Sequence, residues 1–334
     1  MRFIVAIAAW IFASGAVAQE WEDRRVFNEG GQTLLRIISS TDTDLFSPVI
    51  EAFVAQNAGV GVEYLVTGTA DIDRQLRTAP GRFDLVISSA MDLQLKLAND
   101  GYARRVGGLS HPSWAAWRDS LFAFTSEPAA IVINRADFEG VEIPKTRQDL
   151  IVALRARPDR FRNRVGTYDA RVSGLGYLFA TQDARASETF WRLMEVMGGL
   201  NVQLYCCSGA MIDDLKSGKI AVAYNVLGSY AAARIDQAEE LEIILPSDFP
   251  TTMMRTAMIS ADAPEAEAAE AFLRHLIAFQ ATPSSAWALP PLGVQATGSQ
   301  QMAIPLEPAL MTFLDAFKRR RFLSEWEDAV IQQP

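Results

Sequence analysis

From Leu34 onward, short β-rich runs alternate with helical patterns at a spacing of roughly 25 residues, the rhythm of βα units laid on a mostly parallel sheet. Nothing repeats at a fixed period, and no low-complexity linker interrupts the alternation. This rhythm restricts the chain to an α/β architecture, in which strand carboxyl ends and helix N-termini gather at one edge of the sheet. The first three units pair a strand over 34–39 with the helical period Leu45, Val49, Ile50 and Phe53, a strand over 62–66 with a helix over 72–76, and a strand over 85–88 with a helix over 93–98.

The segment 121–134 reads as two extended pieces broken at Glu127-Pro128, and the second is apolar enough for a buried strand. It forms a first crossover. After Pro144 the rhythm resumes with helix 146–157, strand 164–168, helices 174–180 and 188–197, strand 201–205, helix 211–217, strand 220–225, helix 229–237 and strand 241–245. A second long extended run covers 251–260, and Pro264 then opens an alanine- and glutamate-rich helix ending near Phe279. The tail, with its turn over 289–293 and helices from Pro308 onward, is expected to pack back on the first block. At 334 residues the chain exceeds a typical single core, so two lobes are expected. The first takes 19–127 and 256–334, the second 128–255, with hinge strands near 128–134 and 246–256.

The amino terminus carries Met1-Arg2, an apolar stretch from Phe3 to Phe12 and the triplet Ala16-Val17-Ala18, the pattern of a secretory signal peptide over 1–18. Its apolar core falls short of the about 20 residues a permanent span needs, and no cysteine follows the site for a lipid anchor. A freely diffusing periplasmic protein is the expectation. Losing Arg2 with the signal takes the formal charge from −9 to −10, which argues against nucleic acid and anionic membrane as partners. The only cysteines, Cys206 and Cys207, are neighbours and do not staple distant segments. Two packed, inert thiols are the expected state, with a strained vicinal disulfide or capture of a thiophilic ligand as alternatives.

Catalytic constellations are missing. There are two histidines, His111 before Pro112 and His275 within a helical pattern, and no G-x-S-x-G turn. Ser217-Gly218-Lys219 lacks the rest of a phosphate-binding loop, and Gly174-Leu175-Gly176 lacks the third glycine of a dinucleotide fingerprint. The cysteines have no zinc-ligand partner set. The chain is therefore read as no enzyme, with no cofactor and no metal.

What the sequence does carry is hydroxyl and glycine residues where strands end and helices begin: Ser39-Ser40-Thr41, Gly68-Thr69, Ser88-Ser89, and Ser173-Gly174 after Arg171. Free N–H groups at helix N-termini, helped by hydroxyls, receive an anionic or strongly polar ligand there, although each residue alone also reads as an N-cap. Arg171, and Arg255 on the second crossover, are candidate guanidinium forks for carboxylate or phosphate, against surface or lobe-closing ion pairs. Asn225 at a strand end and Tyr230 at a helix start are candidates to orient ligand hydroxyls, and Asp42 stands near the first loop.

The order of these segments is specific. A signal peptide is followed by Leu35-Arg36-Ile37-Ile38-Ser39-Ser40-Thr41, then Phe83-Asp84-Leu85-Val86-Ile87-Ser88-Ser89-Ala90, Arg171-Val172-Ser173-Gly174, the run from Ser217 to Asn225 and Gly228-Ser229-Tyr230. Over almost the whole mature chain this resembles the ABC-transporter extracellular solute-binding proteins of the ferric-iron-type group. The resemblance implies a two-lobed type II periplasmic binding protein fold, with two mixed, mostly parallel sheets joined by two extended hinge strands and closing around ligand. Iron-binding members use a tandem tyrosine pair in the second lobe, but here Tyr230 is followed by Ala231. That departure points to a small polar, anionic organic solute, phosphorylated or carboxylated. Ligand binding is expected at Ser40, Thr41, Thr69, Ser88, Ser89, Arg171, Ser173, Asn225, Tyr230 and Arg255, in a monomer recognised by an ABC permease. Two other readings stay open: recognition by a sensor kinase, and ferric iron as the solute.

Overall fold

The computed structural model describes residues 21–235, 240–281, 288–293 and 303–332. The signal peptide expected at 1–18 lies outside them. The strands, in chain order, are β1 (Asp23–Phe27), β2 (Thr33–Ser39), β3 (Val60–Val66), β4 (Leu85–Ser88), β5 (Ala116–Trp117), β6 (Leu121–Ala123), β7 (Glu127–Asn134), β8 (Val165–Tyr168), β9 (Gln203–Tyr205), β10 (Val222–Leu227), β11 (Leu241–Ile244), β12 (Thr252–Met253) and β13 (Thr256–Ile259). Among the described residues they form two sheets, ordered β1-β3-β2-β4-β13-β6-β5 and β11-β7-β10-β8-β9, with β12 also on β7.

Alternation along the strands builds the cores, because successive side chains point to opposite faces. In β2, Leu35 and Ile37 pack with Phe46, Val49, Ile50 and Phe53 of helix Thr43–Gln56 and with Phe272 and Leu276 of helix Ala266–Ala281. Ile38 turns the other way, toward Ile72, Leu76 and Leu95. In the second sheet Ile131, Val165, Val222 and Tyr224 face helices Arg147–Ala156 and Thr189–Gly199, while Val132, Ala223 and Val226 face Met211, Ile212 and Leu215. One apolar cluster runs through both lobes, joining Ile38 and Val86 of the first sheet to Val132 and Ala223 of the second.

The sheets are mixed. Parallel pairing is confined to β3-β2-β4 and to β10-β8-β9, and the other pairings are antiparallel. The strands fed by the crossovers, β7 and β13, enter against the direction of their neighbours, which the βα rhythm alone did not convey. The chain passes between sheets at 124–126 and returns at 254–255, and the two passages are tied by Phe124 N–H donating to the Arg255 carbonyl at 2.9 Å. The break expected at Glu127-Pro128 therefore lies three residues earlier. Glu127 already belongs to β7, and Pro128 sits opposite Thr252. The extended run 251–260 is two short strands separated by Met254-Arg255.

The tail departs from expectation. The stretch Pro308–Leu314 packs on helix Met91–Asn99 of the first lobe, but the final helix, Ala316–Val330, lies on the second. Its buried stripe of Phe322, Trp326 and Val330 joins the second lobe's core, where Phe322 meets Tyr177 and Trp191 at 5.5 Å between ring centroids. A helix packs wherever its apolar face finds its complement, and this one finds an aromatic surface across the seam.

Candidate ligand cleft

The loops after β2 and β4 are shaped by their own hydroxyls. Ser39 Oγ accepts from the Thr41 N–H at 3.0 Å and from the Tyr64 hydroxyl at 2.7 Å. Ser40 Oγ accepts from the Ser89 N–H at 3.1 Å, and Ser88 Oγ accepts from the Ala90 N–H. The first of these turns leads into helix Thr43–Gln56, and the loop after β3 leads through Gly68 into helix Thr69–Thr78, so that both helices start at the second lobe. From there the starts of Gly174–Ala186, Ser208–Lys216 and Gly228–Ile235 face them. A cavity of about 250 Å³ lies between, lined by Glu22, Ser40, Asp42, Thr69 and Ser89 on one side and by Tyr168, Ser173, Cys206, Cys207, Ser208, Asp213, Tyr230 and Arg234 on the other. Five helix N-termini thus share one space, each contributing partial positive charge.

Direct contacts hold the two walls together. The Asp42 N–H donates to the Tyr230 hydroxyl oxygen at 3.0 Å, that hydroxyl reaches Asp42 Oδ1 at 3.4 Å, and Arg234 donates to Asp42 Oδ2 and to Asp213. The Leu175 N–H donates to Thr69 Oγ1 at 3.1 Å. Gly174 permits this approach, since a Cβ there would stand 2.9 Å from Thr69 Oγ1 and 2.8 Å from Leu93 Cδ1. Burial pushes the Tyr230 and Tyr168 phenols well above their usual range. Burial and the nearby Asp42 and Asp71 raise the Glu22 carboxyl.

Of the residues expected at the site, Ser40, Thr69, Ser89, Ser173 and Tyr230 line the cavity. Thr41 and Ser88 do not; both are buried behind it, Thr41 accepting from Arg255 Nη1 at 2.7 Å. Arg255 itself is wholly buried, its guanidinium held by Glu127 at 3.0 and 3.1 Å. It supports the wall from behind. Asn225 is drawn off by a bulge in β10 that gives it φ of 63°, and its amide donates to Asp183 at 2.8 Å. Arg171 is turned toward the C-terminal helix. Asp169, two residues before it, takes its guanidinium bidentately at 2.8 and 2.6 Å, with Glu327 and the Trp326 ring nearby.

The cleft's own arginine is Arg234, which the sequence reading missed. It follows Tyr230 by four residues on the same helix, the spacing that puts two side chains on one face. The cysteines also depart from expectation. They are not packed in a core: Cys206 is exposed, Cys207 is half-buried, and both line the cavity. With Glu22, Asp42 and Asp213 against one guanidinium, the charged side chains of the wall are on balance acidic, and the positive potential comes from the helix ends. Among the described residues, no cluster of three or more His, Cys, Asp or Glu side chains is placed to hold a metal ion, and no helix is long and apolar enough to cross a membrane.

The profile of the family described as bacterial extracellular solute-binding protein matches residues 35–283. A comparison with curated protein sequences returned no match. Among solved structures, the substrate-binding protein of an ABC transporter from Agrobacterium tumefaciens is 29% identical, with a TM-score of 0.84 over 92% of this chain and 98% of that one. AfuA from Actinobacillus pleuropneumoniae, solved with fructose 6-phosphate, is 15% identical with a TM-score of 0.69, covering 90% and 99%. Iron-bound HitA from Pseudomonas aeruginosa is 16% identical with a TM-score of 0.64, covering 89% and 99%. At these last identities the likeness is one of two-lobed fold.

Proposed function

We propose that this chain, which belongs to the bacterial extracellular solute-binding protein family, captures a small hydroxylated organic anion in the cleft between its lobes and hands it to the permease of an ABC importer. One observation carries the reading: five helix N-termini and the hydroxyls of Ser40, Thr69, Ser89 and Ser173 surround a cavity of about 250 Å³ that both lobes wall. An anionic head group is held there by backbone N–H groups and hydroxyls, without a full counter-charge. The carboxylates of Asp42, Asp213 and Glu22 accept from the hydroxyls of the solute, which accounts for an acidic wall around an anion.

Closure follows from the same geometry. The hinge consists of residues 124–126 and 254–255, and bending there separates Asp42 from Tyr230 and Arg234, and Thr69 from Leu175. A solute that touches both walls favours the closed form by its contacts with the second wall. The permease then reads the closed shape.

A thermal-shift screen of the purified protein against sugar phosphates including fructose 6-phosphate, hydroxycarboxylates, inorganic phosphate, neutral sugars and ferric citrate tests this. A solute at a hundredfold excess over its dissociation constant adds about 2.7 kcal/mol of apparent stability. The expected hit is a hydroxylated anion, and Ser173→Ala or Thr69→Ala weakens it. A response to ferric citrate alone puts the Tyr168 and Tyr230 phenols in an iron site instead, and a response to neutral sugars alone overturns the anion.

A further inference from the structure

The proposed solute reading leaves the pair Cys206-Cys207 unused, although both thiols face the cavity. Their Sγ atoms are 2.7 Å apart, with Cys207 serving as the N-cap of helix Ser208–Lys216. The setting is that of reactive rather than structural thiols. Cys206 is exposed. The helix start supplies positive potential, and the Arg234 guanidinium lies over its first turn, close enough that a Cβ on Gly209 would meet it at 3.3 Å.

We propose that Cys206 and Cys207 are a redox-modifiable pair in the cleft wall, which exchanges with an external disulfide and closes to a vicinal disulfide. Cys206 is the attacking group. Its thiolate attacks one sulfur of the external disulfide, breaking that S–S bond and releasing one thiolate, and a mixed disulfide forms on Cys206. Cys207 then loses its proton to solvent and attacks Cys206 Sγ, releasing the second external thiolate. The protein loses two electrons and two protons, and the external disulfide becomes two thiols. The hydrogen bond from Cys207 lowers the Cys206 thiol to about 7, against burial and the nearby Glu22 carboxylate, while the same pairing and burial raise Cys207.

Adjacent Cα atoms are about 3.8 Å apart, shorter than the usual disulfide range of roughly 4.4–6.8 Å. The resulting ring is strained and opens again in the presence of excess thiol, the behaviour of a labile bond and not of a staple. The wall of the cavity therefore has two chemical states. One carries two thiols, one of them readily ionised. The other carries a disulfide with no S–H donor and no ionisable sulfur.

Intact-mass measurement after exposure of the reduced protein to oxidised glutathione at pH 7, followed by alkylation, tests the proposal. The expected product is lighter than the reduced protein by two hydrogens, carries no alkyl group, and reverts on excess reduced glutathione. Cys207→Ser is expected to stop at the glutathione adduct of Cys206, and Cys206→Ser to form its adduct at least about tenfold more slowly. Two alkylated thiols after oxidation, or a wild-type protein arrested at the adduct, overturn the ring. Equal rates in the two single variants overturn the assignment of Cys206 as the attacking group.

Discussion

Among the described residues two arginines are wholly buried, and they do different things. Arg147 opens helix Arg147–Ala156, and its partners all belong to the second lobe. It donates to the Tyr224 hydroxyl at 2.7 Å, to Asp183 at 3.2 Å and to Asp248 at 3.3 Å, over the Phe249 ring. Arg255 sits on the return passage between sheets. It holds Glu127 at the start of β7, Thr41 beside the first-lobe loop, and lies 5.8 Å from the Tyr230 ring centre. Glu127 also receives the Ser229 and Thr125 hydroxyls. The chemistry is the same in both places, a desolvated guanidinium balanced by carboxylate and hydroxyl. The lesson is that position decides its consequence: Arg147 fixes one lobe, whereas Arg255 fixes the crossover and the back of the cleft wall together.

Removing either arginine strands a buried carboxylate, so Arg147→Ala and Arg255→Ala are each expected to cost about 3–5 kcal/mol in chemical denaturation. The comparison breaks on a second reading taken at low temperature. A solute that shifts the wild-type melting point is expected to shift Arg147→Ala equally and to lose its effect on Arg255→Ala, and equal behaviour of the two variants removes the distinction.

A buried carboxyl sharpens the contrast because, among the described residues, no guanidinium is in ion-pair contact with it. Asp92, at the start of helix Met91–Asn99, is buried where that helix meets the tail, and its Oδ1 has no hydrogen-bond partner among the described residues. Burial raises its carboxyl to about 7, despite the Leu93 N–H and Arg319. The folded protein thus holds this proton more tightly than the unfolded chain. That contribution to stability is complete below about pH 4 and is lost as pH rises through 7. Asp92→Asn is expected to stabilise at pH 8 by about 2–4 kcal/mol and to change nothing at pH 4. A pH-independent difference between variant and wild type rules this out.

The arginines that reach solvent give the smallest effects. Arg234 is partly solvated and pairs with Asp42 across the cleft, so Arg234→Ala is expected to cost no more than about 1 kcal/mol of stability while weakening solute binding. Arg171→Ala, which removes a surface pair with Asp169, is expected to leave both stability and the solute response unchanged. A solute response that depends on Arg171 and ignores Arg234 reverses the placement of charge in the cleft.

The sequence made the cleft hydroxyls and Asp42 legible and its arginine illegible. Ser40, Thr69, Ser89 and Ser173 follow strand ends, so local order alone brings them to the mouth of an α/β sheet. Arginine is long, and its destination depends on which carboxylate it meets. Asp169 takes Arg171, Glu127 takes Arg255, and Asp42 meets Arg234 across 192 positions of chain. Asn225 went astray for a different reason, because a bulge turns its side chain toward Asp183.

The alternation of apolar runs was enough to determine an α/β chain with its strands near 34–39, 62–66 and 85–88, since side-chain period and burial are local properties. The crossover entered three residues before Glu127-Pro128, the final helix settled on the second lobe, and the paired thiols came to face the same cavity as Ser40 and Tyr230. Those outcomes belong to the tertiary structure. They depend on which surfaces and charges meet across long stretches of chain, and complementarity of that kind has no periodic signature in the sequence.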